Sequence, residues 1–175
     1  MKTTLFMAMS LNGIIADKAG REDFLSHDGW EVFVELAESM SVFMTGRQTY
    51  DDVKKYYDGP AFDGIKADRI MISRSQSQAP SGWHIADSPQ AALGLVQKLG
   101  HSEALLSGGS TLNAAFLEAN LIDAVIFNVE PVLVGSGIPV IAEHLTANQL
   151  AFQRVVKRDH GVLQLHYAVR KGESS

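Results

Sequence analysis

The sequence predicts an α/β protein with a largely parallel sheet covered on both faces. Short apolar segments alternate with segments of helical periodicity from residue 1 to about residue 129, and crossover connections of this kind join parallel strands. The closing segments, residues 151–159 and 161–171, alternate apolar with polar residues around the turn sequence DHG. This pattern predicts an antiparallel C-terminal hairpin.

The individual elements follow from local patterns. The best-defined helix has Ser88 as its N-cap, Pro89 at its first position and Gly100 just past its end. Apolar periodicity predicts the other helices and the strands. The predicted strands are residues 3–9, 14–16, 41–45, 69–73, 84–86, 103–107 and 124–129, and the predicted helices are residues 30–40, 49–57, 89–99 and 110–119.

Composition indicates one domain, residues 1–175, in a reducing compartment. The net charge of -5 argues against nucleic acid as a partner, and cysteine is absent. Ser10, Asn12 and Gly13 interrupt the apolar N-terminal run, which favours a strand pair over a signal peptide, and no segment is long enough to span a membrane. The six histidines lack metal-ligand spacing. We therefore expect a cytoplasmic protein without metal.

Three predicted strand ends carry residues suited to binding phosphate. In the stretch LLSGGSTLNAAF, Gly108 and Gly109 let the backbone approach a bulky anion, and the N–H groups of Ser110, Thr111 and Leu112 open a helix. The alternative is a tight turn with Ser110 as N-cap. The spacing matches neither G-x-G-x-x-G nor a P-loop, which argues against a Rossmann or kinase domain.

The second strand end is TGRQTY, where Arg47 lies near the positive end of the following helix and a bound phosphate would offset that unfavourable charge. Thr45 and Gln48 also have the spacing of a capping box, which would be a purely structural explanation. The third end is SRS, residues 73–75. Its Arg74 is either a solvated surface side chain or a partner for a ribose phosphate.

Ligands in open α/β sheets bind outside the carboxyl ends of the strands. Two arginines and several hydroxyls at one sheet edge therefore predict a phosphorylated dinucleotide, NADPH in preference to NADH.

The motifs AMSLNGIIA, TGRQTY, ISRS and SGGSTLNAAF, in this order, resemble the dihydrofolate reductase-like superfamily, specifically its RibD C-terminal branch of riboflavin-biosynthesis reductases. The resemblance covers almost the whole chain. It implies a three-layer α/β/α fold with a mixed, mostly parallel sheet of about eight strands, NADPH as hydride donor, and a homodimer. Because the chain lacks a zinc-deaminase signature, it resembles a stand-alone member of this branch.

The resemblance also implies which residues contact the cofactor. The backbone at Ala8 and Ile15 would bracket the nicotinamide carboxamide. The phosphates would be contacted by Gly46, Arg47, Gln48 and Thr49. The adenosine ribose and its 2′-phosphate would lie beside Ser73, Arg74 and Ser75. The pyrophosphate would be held by Gly108, Gly109, Ser110, Thr111 and Leu112.

Two carboxylates are candidates for contact with the substrate. Folate reductases carry a Pro-Trp pair ahead of a carboxylate on the first helix, and the segment EDFLSHDGWEVF lacks that pair. Asp28 falls about where the carboxylate would lie, and Asp23 is the other candidate for the catalytic acid. Either could instead be a charge that suits a helix N-terminus.

The segment EPVLVGSGIPV resembles the P-x-L-x-G element of the riboflavin branch, and Gly135 and Gly137 would shape a loop over the substrate side. The alternative is an ordinary glycine-rich connection. The resemblance thus implies an NADPH-dependent reductase, similar to 5-amino-6-(5-phosphoribosylamino)uracil reductase, that acts on a pyrimidine- or pterin-like small molecule. Dihydrofolate reductase activity and a catalytically inactive NADPH-binding protein are the alternatives.

Overall fold

The structure is a computed structural model that describes residues 1–57, 59–76, 78–144 and 147–171. The strands within these residues are β1 (Lys2–Ser10), β2 (Ile14–Ala16), β3 (Val42–Gly46), β4 (Asp68–Ile72), β5 (His84–Ala86), β6 (Glu103–Leu106), β7 (Ala124–Glu130), β8 (Ile138–Pro139), β9 (Leu150–Lys157) and β10 (Leu163–Val169). The helices are α1 (His27–Met40), α2 (Arg47–Tyr56), α3 (Pro89–Lys98) and α4 (Ser110–Glu118), with 3₁₀ turns at Ala61–Gly64 and Asp159–Gly161.

Eight strands form one sheet in the order β5-β4-β3-β6-β1-β7-β10-β9. The six strands from β5 to β7 run parallel, and β10 and β9 are antiparallel to their neighbours. The predicted mixed sheet with an antiparallel C-terminal hairpin is confirmed. A separate antiparallel pair joins β2 to β8. The sequence did not predict β8, because two residues are too few to show a pattern.

Helices cover both faces of the sheet. Phe33 of α1 and Phe43 of β3 meet edge to face at 5.3 Å between ring centroids, within a core that α1 and α2 share with one face. On the other face, Val96 of α3 and Phe116 of α4 pack against Leu5 of β1. These three layers leave the carboxyl ends of the parallel strands uncovered by helices, as in other open α/β sheets.

Two helices begin earlier than predicted. The first, α1, begins at His27 rather than Trp30, and α2 begins at Arg47 rather than Thr49. In contrast, α3 begins as predicted: Ser88 Oγ accepts a hydrogen bond from the Ala91 N–H at 3.4 Å, and Pro89 is the first helical residue. None of the described helices combines the length and the apolar character needed to cross a bilayer.

The capping-box explanation of TGRQTY is wrong. The N-cap of α2 is Gly46, without a side-chain cap. Thr45 Oγ1 donates instead to the Gly108 carbonyl at 3.3 Å, and Gln48 Nε2 donates to Asp52 Oδ1 at 3.0 Å. Both side chains therefore have partners elsewhere, and the first N–H groups of α2 receive no side-chain cap.

Candidate functional site

A cavity of about 1240 Å³ opens where β1, β3, β4 and β6 present their carboxyl ends. Of the residues predicted to contact the cofactor, only Gly108 does not line it. The predicted residues that do are Ala8, Ile15, Gly46, Arg47, Gln48, Thr49, Ser73, Arg74, Ser75, Gly109, Ser110, Thr111 and Leu112. In the described part of the chain, no group of histidine and carboxylate side chains is arranged to hold a metal ion.

The two adjacent glycines bring the turn after β6 close to its neighbours. The Gly46 N–H donates to the Gly108 carbonyl at 2.7 Å, which ties the end of β3 to this turn. Gly108 has φ +81°, and a Cβ there would lie 2.9 Å from Met7 Sδ. A Cβ at Gly109 would lie 2.9 Å from Thr49 Oγ1. The packing of the protein itself therefore requires small residues here, in addition to any ligand.

Two buried hydroxyls face this cavity without a protein partner. The alternative that Ser110 caps α4 is wrong, because the N-cap is Gly109 and no side chain caps the helix. The Oγ atoms of Ser107 and Ser110 are buried, and neither has a hydrogen-bond partner among the described residues. Both residues line the cavity. Since buried hydroxyls are normally hydrogen-bonded, this turn fits a bound polar group.

The charged end of the cavity, which we call the anion rim, comprises Arg47, Arg74 and the N-termini of α2 and α4. Arg47 Nε lies 3.3 Å from Asp51 Oδ2, and both side chains are about half exposed, so this pair contributes little to stability. Arg74 follows β4, whose end adjoins β5 through a hydrogen bond from the Ser73 N–H to the Ala86 carbonyl. Asp87 lines the same corner.

The opposite end of the cavity, which we call the aromatic end, has an apolar wall. The residues of the aromatic end are Glu22, Leu25, Trp30, Phe33, Tyr57 and Phe62. The Trp30 ring centroid lies 5.1 Å from that of Tyr57 and 5.6 Å from that of Phe62. Ring separations of this size are favourable, and the half-buried Trp30 and Tyr57 leave aromatic surface for a planar ligand.

Glu22 is the carboxyl group of the aromatic end. Tyr57 Oη donates to Glu22 Oε2 at 3.1 Å. Burial raises the pKa of Glu22 and the nearby charge of Asp52 raises it further, whereas the Tyr57 hydrogen bond opposes the shift. Burial, with the Glu22 charge, raises the pKa of Tyr57 above its usual range. The pair therefore retains protons more strongly than either group does in water.

We expect the Glu22→Gln variant to be increasingly more stable than the wild type as pH rises. The pKa of Glu22 is higher in the folded state than in the unfolded state, so the contribution of Glu22 to the free energy of unfolding is complete at low pH. That contribution is lost as the pH rises through the folded-state pKa. Glutamine does not titrate and still accepts from Tyr57. Thermal unfolding between about pH 5 and about pH 8 measures the difference, with Asp23→Asn as a control that removes an exposed neighbouring carboxylate. A difference in Tm between the Glu22→Gln variant and the wild type that becomes smaller as pH rises would contradict the prediction.

The structure does not bring either predicted catalytic acid into the cavity. Asp28 is paired with Arg158, whose Nε and Nη2 donate to its carboxylate at 2.6 and 3.1 Å, and it lines a separate small depression. Asp23 is exposed and does not line the cavity. The early start of α1 places Asp28 in the first helical turn, so the helix-charge alternative describes Asp28 better.

Sequence reasoning missed Glu22 and Tyr57. Glu22 lies in the irregular segment between β2 and α1, where no periodicity indicates which way a side chain points. The sequence analysis favoured its neighbour Asp23 within EDFLSHDG. Tyr57 comes directly after α2, and only the path of the chain brings it to Glu22.

The fold and the cavity define a class of protein: an open α/β domain with a dihydrofolate reductase-like sheet, whose strand edge carries two arginines and two helix N-termini beside an aromatic pocket. The model of one family, the RibD C-terminal domain, matches residues 1–164. The chain belongs to this family.

The comparisons with known proteins match nearly the whole chain. The uncharacterized protein YwjB of Bacillus subtilis (strain 168) is 27% identical over 169 residues, which cover 95% of this chain and 97% of YwjB. A Shewanella sp. PV-4 protein linked by name to riboflavin biosynthesis has 22% identity and a TM-score of 0.81, covering 98% of this chain and 100% of that one.

An enzyme with two activities in its name contains a region of the same fold. The diaminohydroxyphosphoribosylaminopyrimidine deaminase/5-amino-6-(5-phosphoribosylamino)uracil reductase of Thermotoga maritima has 16% identity and a TM-score of 0.74. The match covers 97% of this chain and 56% of that protein. At such identities the comparison with solved structures shows the fold.

Proposed function

We propose that this protein is an NADPH-dependent reductase of the riboflavin-biosynthesis type, acting on a small nitrogen heterocycle. The observation that carries the proposal is the convergence of three strand ends, at residues 46–49, 73–75 and 107–112 apart from Gly108, on one cavity. Family membership supports the same reaction class. The soluble cofactor and the absence of cysteine are consistent with a cytoplasmic location.

The residues of the anion rim fit NADPH. Backbone N–H groups at the N-termini of α2 and α4 suit phosphate oxygens, and the unpartnered hydroxyls of Ser107 and Ser110 offer further hydrogen bonds. Arg74 suits the additional phosphate that distinguishes NADPH from NADH. When bound, NADPH supplies the hydride.

The aromatic end suits the acceptor. Reduction of a C=N or C=O bond adds a hydride to carbon and a proton to the nitrogen or oxygen. Burial raises the pKa of Glu22, so this carboxyl group binds a proton more readily than a solvated one and is suited to pass a proton to the acceptor. Tyr57 holds the Glu22 carboxyl in position by a hydrogen bond from Oη to Oε2. In this proposal Glu22 has the role first assigned to Asp28 or Asp23.

The test is calorimetric titration with NADPH, followed by measurement of NADPH oxidation with a panel of aminouracil and pteridine substrates. We expect binding, and oxidation with at least one member of the panel. Binding without oxidation across the panel would favour an inactive NADPH-binding protein. Absence of binding would contradict the proposal as a whole.

We also propose that the protein is a homodimer that associates through the edge strand β9 and its neighbour. Phe152, Val155 and Leu163 are 59%, 50% and 43% exposed, a concentration of apolar surface at one sheet edge. Val155→Asp is expected to convert a dimer into a monomer in sedimentation analysis, because it places a charge in the apolar contact. Gln90→Asp, on the exposed surface of α3, is the control. A wild-type monomer would contradict this proposal.

A further inference from the structure

The two ends of the cavity differ in charge. Among the described residues that line it, the only cationic side chains are Arg47 and Arg74, both in the anion rim. Arg47 is the first residue of α2 and Tyr57 follows the last. At 1.5 Å per residue, these positions lie about 15 Å apart along the helix axis. Arg47 is also paired with Asp51.

Nearby cations outside the cavity have other partners. Arg21, next to Glu22 in the chain, binds Asp17 with 2.8 Å between Nη2 and Oδ2. Lys55 donates to Tyr56 Oη at 2.8 Å. Among the described lining residues, none at the aromatic end is cationic.

Carboxylates lie at this end and beside it instead: Glu22 belongs to the aromatic end, and Asp52 lies between it and Gln48, whose Nε2 donates to Asp52 Oδ1 at 3.0 Å. Asp52 lines the cavity and its charge acts on Glu22. Asp52 also lies close to the chain at Gly20, where a Cβ would be 3.2 Å from Oδ2. A dianionic phosphate placed here would be repelled by the carboxylate of Asp52, and by Glu22 whenever Glu22 is ionised, with less screening than in open solvent.

We propose that the aromatic end takes a planar nitrogen heterocycle that carries N–H donors and no phosphate group. This inference rests on the proposed function, and it separates the present substrate from the phosphorylated one in the name of the Thermotoga maritima enzyme. Charge selects the substrate here by repulsion as well as by attraction.

The remaining hydrogen-bonding capacity of Glu22 determines which ring is accepted. Tyr57 occupies Oε2, and no described residue donates to Oε1, so that oxygen is available to a ring N–H or amino group. The rings of Trp30 and Tyr57 offer a surface on which a flat heterocycle can stack. Stacking and one hydrogen bond to the Glu22 carboxyl group together favour an amino-substituted ring.

The experiment compares 5-amino-6-(5-phosphoribosylamino)uracil with its dephosphorylated form. Each is titrated by calorimetry into the full-length protein saturated with NADP⁺, so that no turnover occurs. We expect the dephosphorylated compound to bind at least about tenfold more tightly. Equal or tighter binding of the phosphorylated compound, or no binding of either, would overturn the inference.

Two variants test which residues distinguish the phosphorylated compound from the dephosphorylated one. Glu22→Gln is expected to weaken binding of the dephosphorylated compound by about tenfold, because an amide replaces the carboxyl group that the ring contacts. Asp52→Asn is expected to narrow the difference between the two compounds, because it removes a repelling charge. An unchanged difference in both variants would contradict the assignment to Glu22 and Asp52. NADPH affinity, measured on the same samples, shows that each variant is folded and tests the proposed function independently.

Discussion

Replacing Arg74 with alanine is expected to weaken NADPH binding by about 10- to 100-fold while changing NADH affinity by less than about threefold. The reason is that a guanidinium forms charge-assisted hydrogen bonds with a ribose phosphate that NADH does not have. Arg74 lies at the corner of the cavity formed by the ends of β4 and β5, and Asp87 lies there too. Calorimetric titration with each cofactor measures the effect.

Arg47→Ala is also expected to weaken NADPH binding more than NADH binding, because Arg47 lies at the start of α2 within the same anion rim. Arg154→Ala is the matched control, since Arg154 is exposed on β9 and does not line the cavity. Equal losses of NADPH and NADH affinity in the Arg74 variant would show that this residue does not read the extra phosphate.

The Gly137→Ala variant is expected to lose about 3 kcal/mol of unfolding free energy, which corresponds to a fall in Tm of about 6–12 °C for a domain of this size. A Cβ at Gly137 would overlap the Ala16 carbonyl oxygen and lie 2.6 Å from Ile14 Cγ2. Ala16 belongs to β2 and its neighbour Ile138 to β8, and both line the cavity. Moving this strand pair therefore also disturbs the wall of the site.

Gly135→Ala provides the control for this prediction. No atom lies within 4 Å of a Cβ built at Gly135, so the same added methyl group is expected to change Tm little. Differential scanning calorimetry of both variants separates the overlap from a general effect of losing glycine. Similar Tm values for the two variants would mean that the β2–β8 pair adjusts without cost. The sequence analysis grouped the two glycines together, and the structure distinguishes them.

The sheet could be predicted from sequence because its strands are apolar and separated by helices with clear periodicity. Phe43 and Leu105, for example, lie in short apolar runs and are fully buried in neighbouring strands. The anion rim could also be predicted, because glycines and hydroxyls directly after strands mark the carboxyl edge of a parallel sheet. Element boundaries were less accurate: α1 starts in a polar segment that apolar periodicity does not detect.

The aromatic end could not be assembled from sequence. Glu22 and Tyr57 lie in irregular chain outside the helices and strands, and their contact joins residues 35 positions apart. Trp30 of α1 reaches Tyr57 through tertiary packing. Asp28 had the position expected for a catalytic acid in the sequence, but Arg158, next to the 3₁₀ turn between β9 and β10, binds it. A partner so distant in the chain cannot be inferred from local pattern.

The order of the strands has a consequence for the nascent chain. The first strand, β1, lies at the centre of the sheet, and both of its neighbours, β6 and β7, are made much later: Lys2 pairs with Glu103, and Ser10 with Glu130. During translation β1 leaves the ribosome with neither edge paired, and contacts so far apart in sequence form slowly. The strand β1 therefore gains its first sheet partner only after residues 103–106 of β6 have been synthesised.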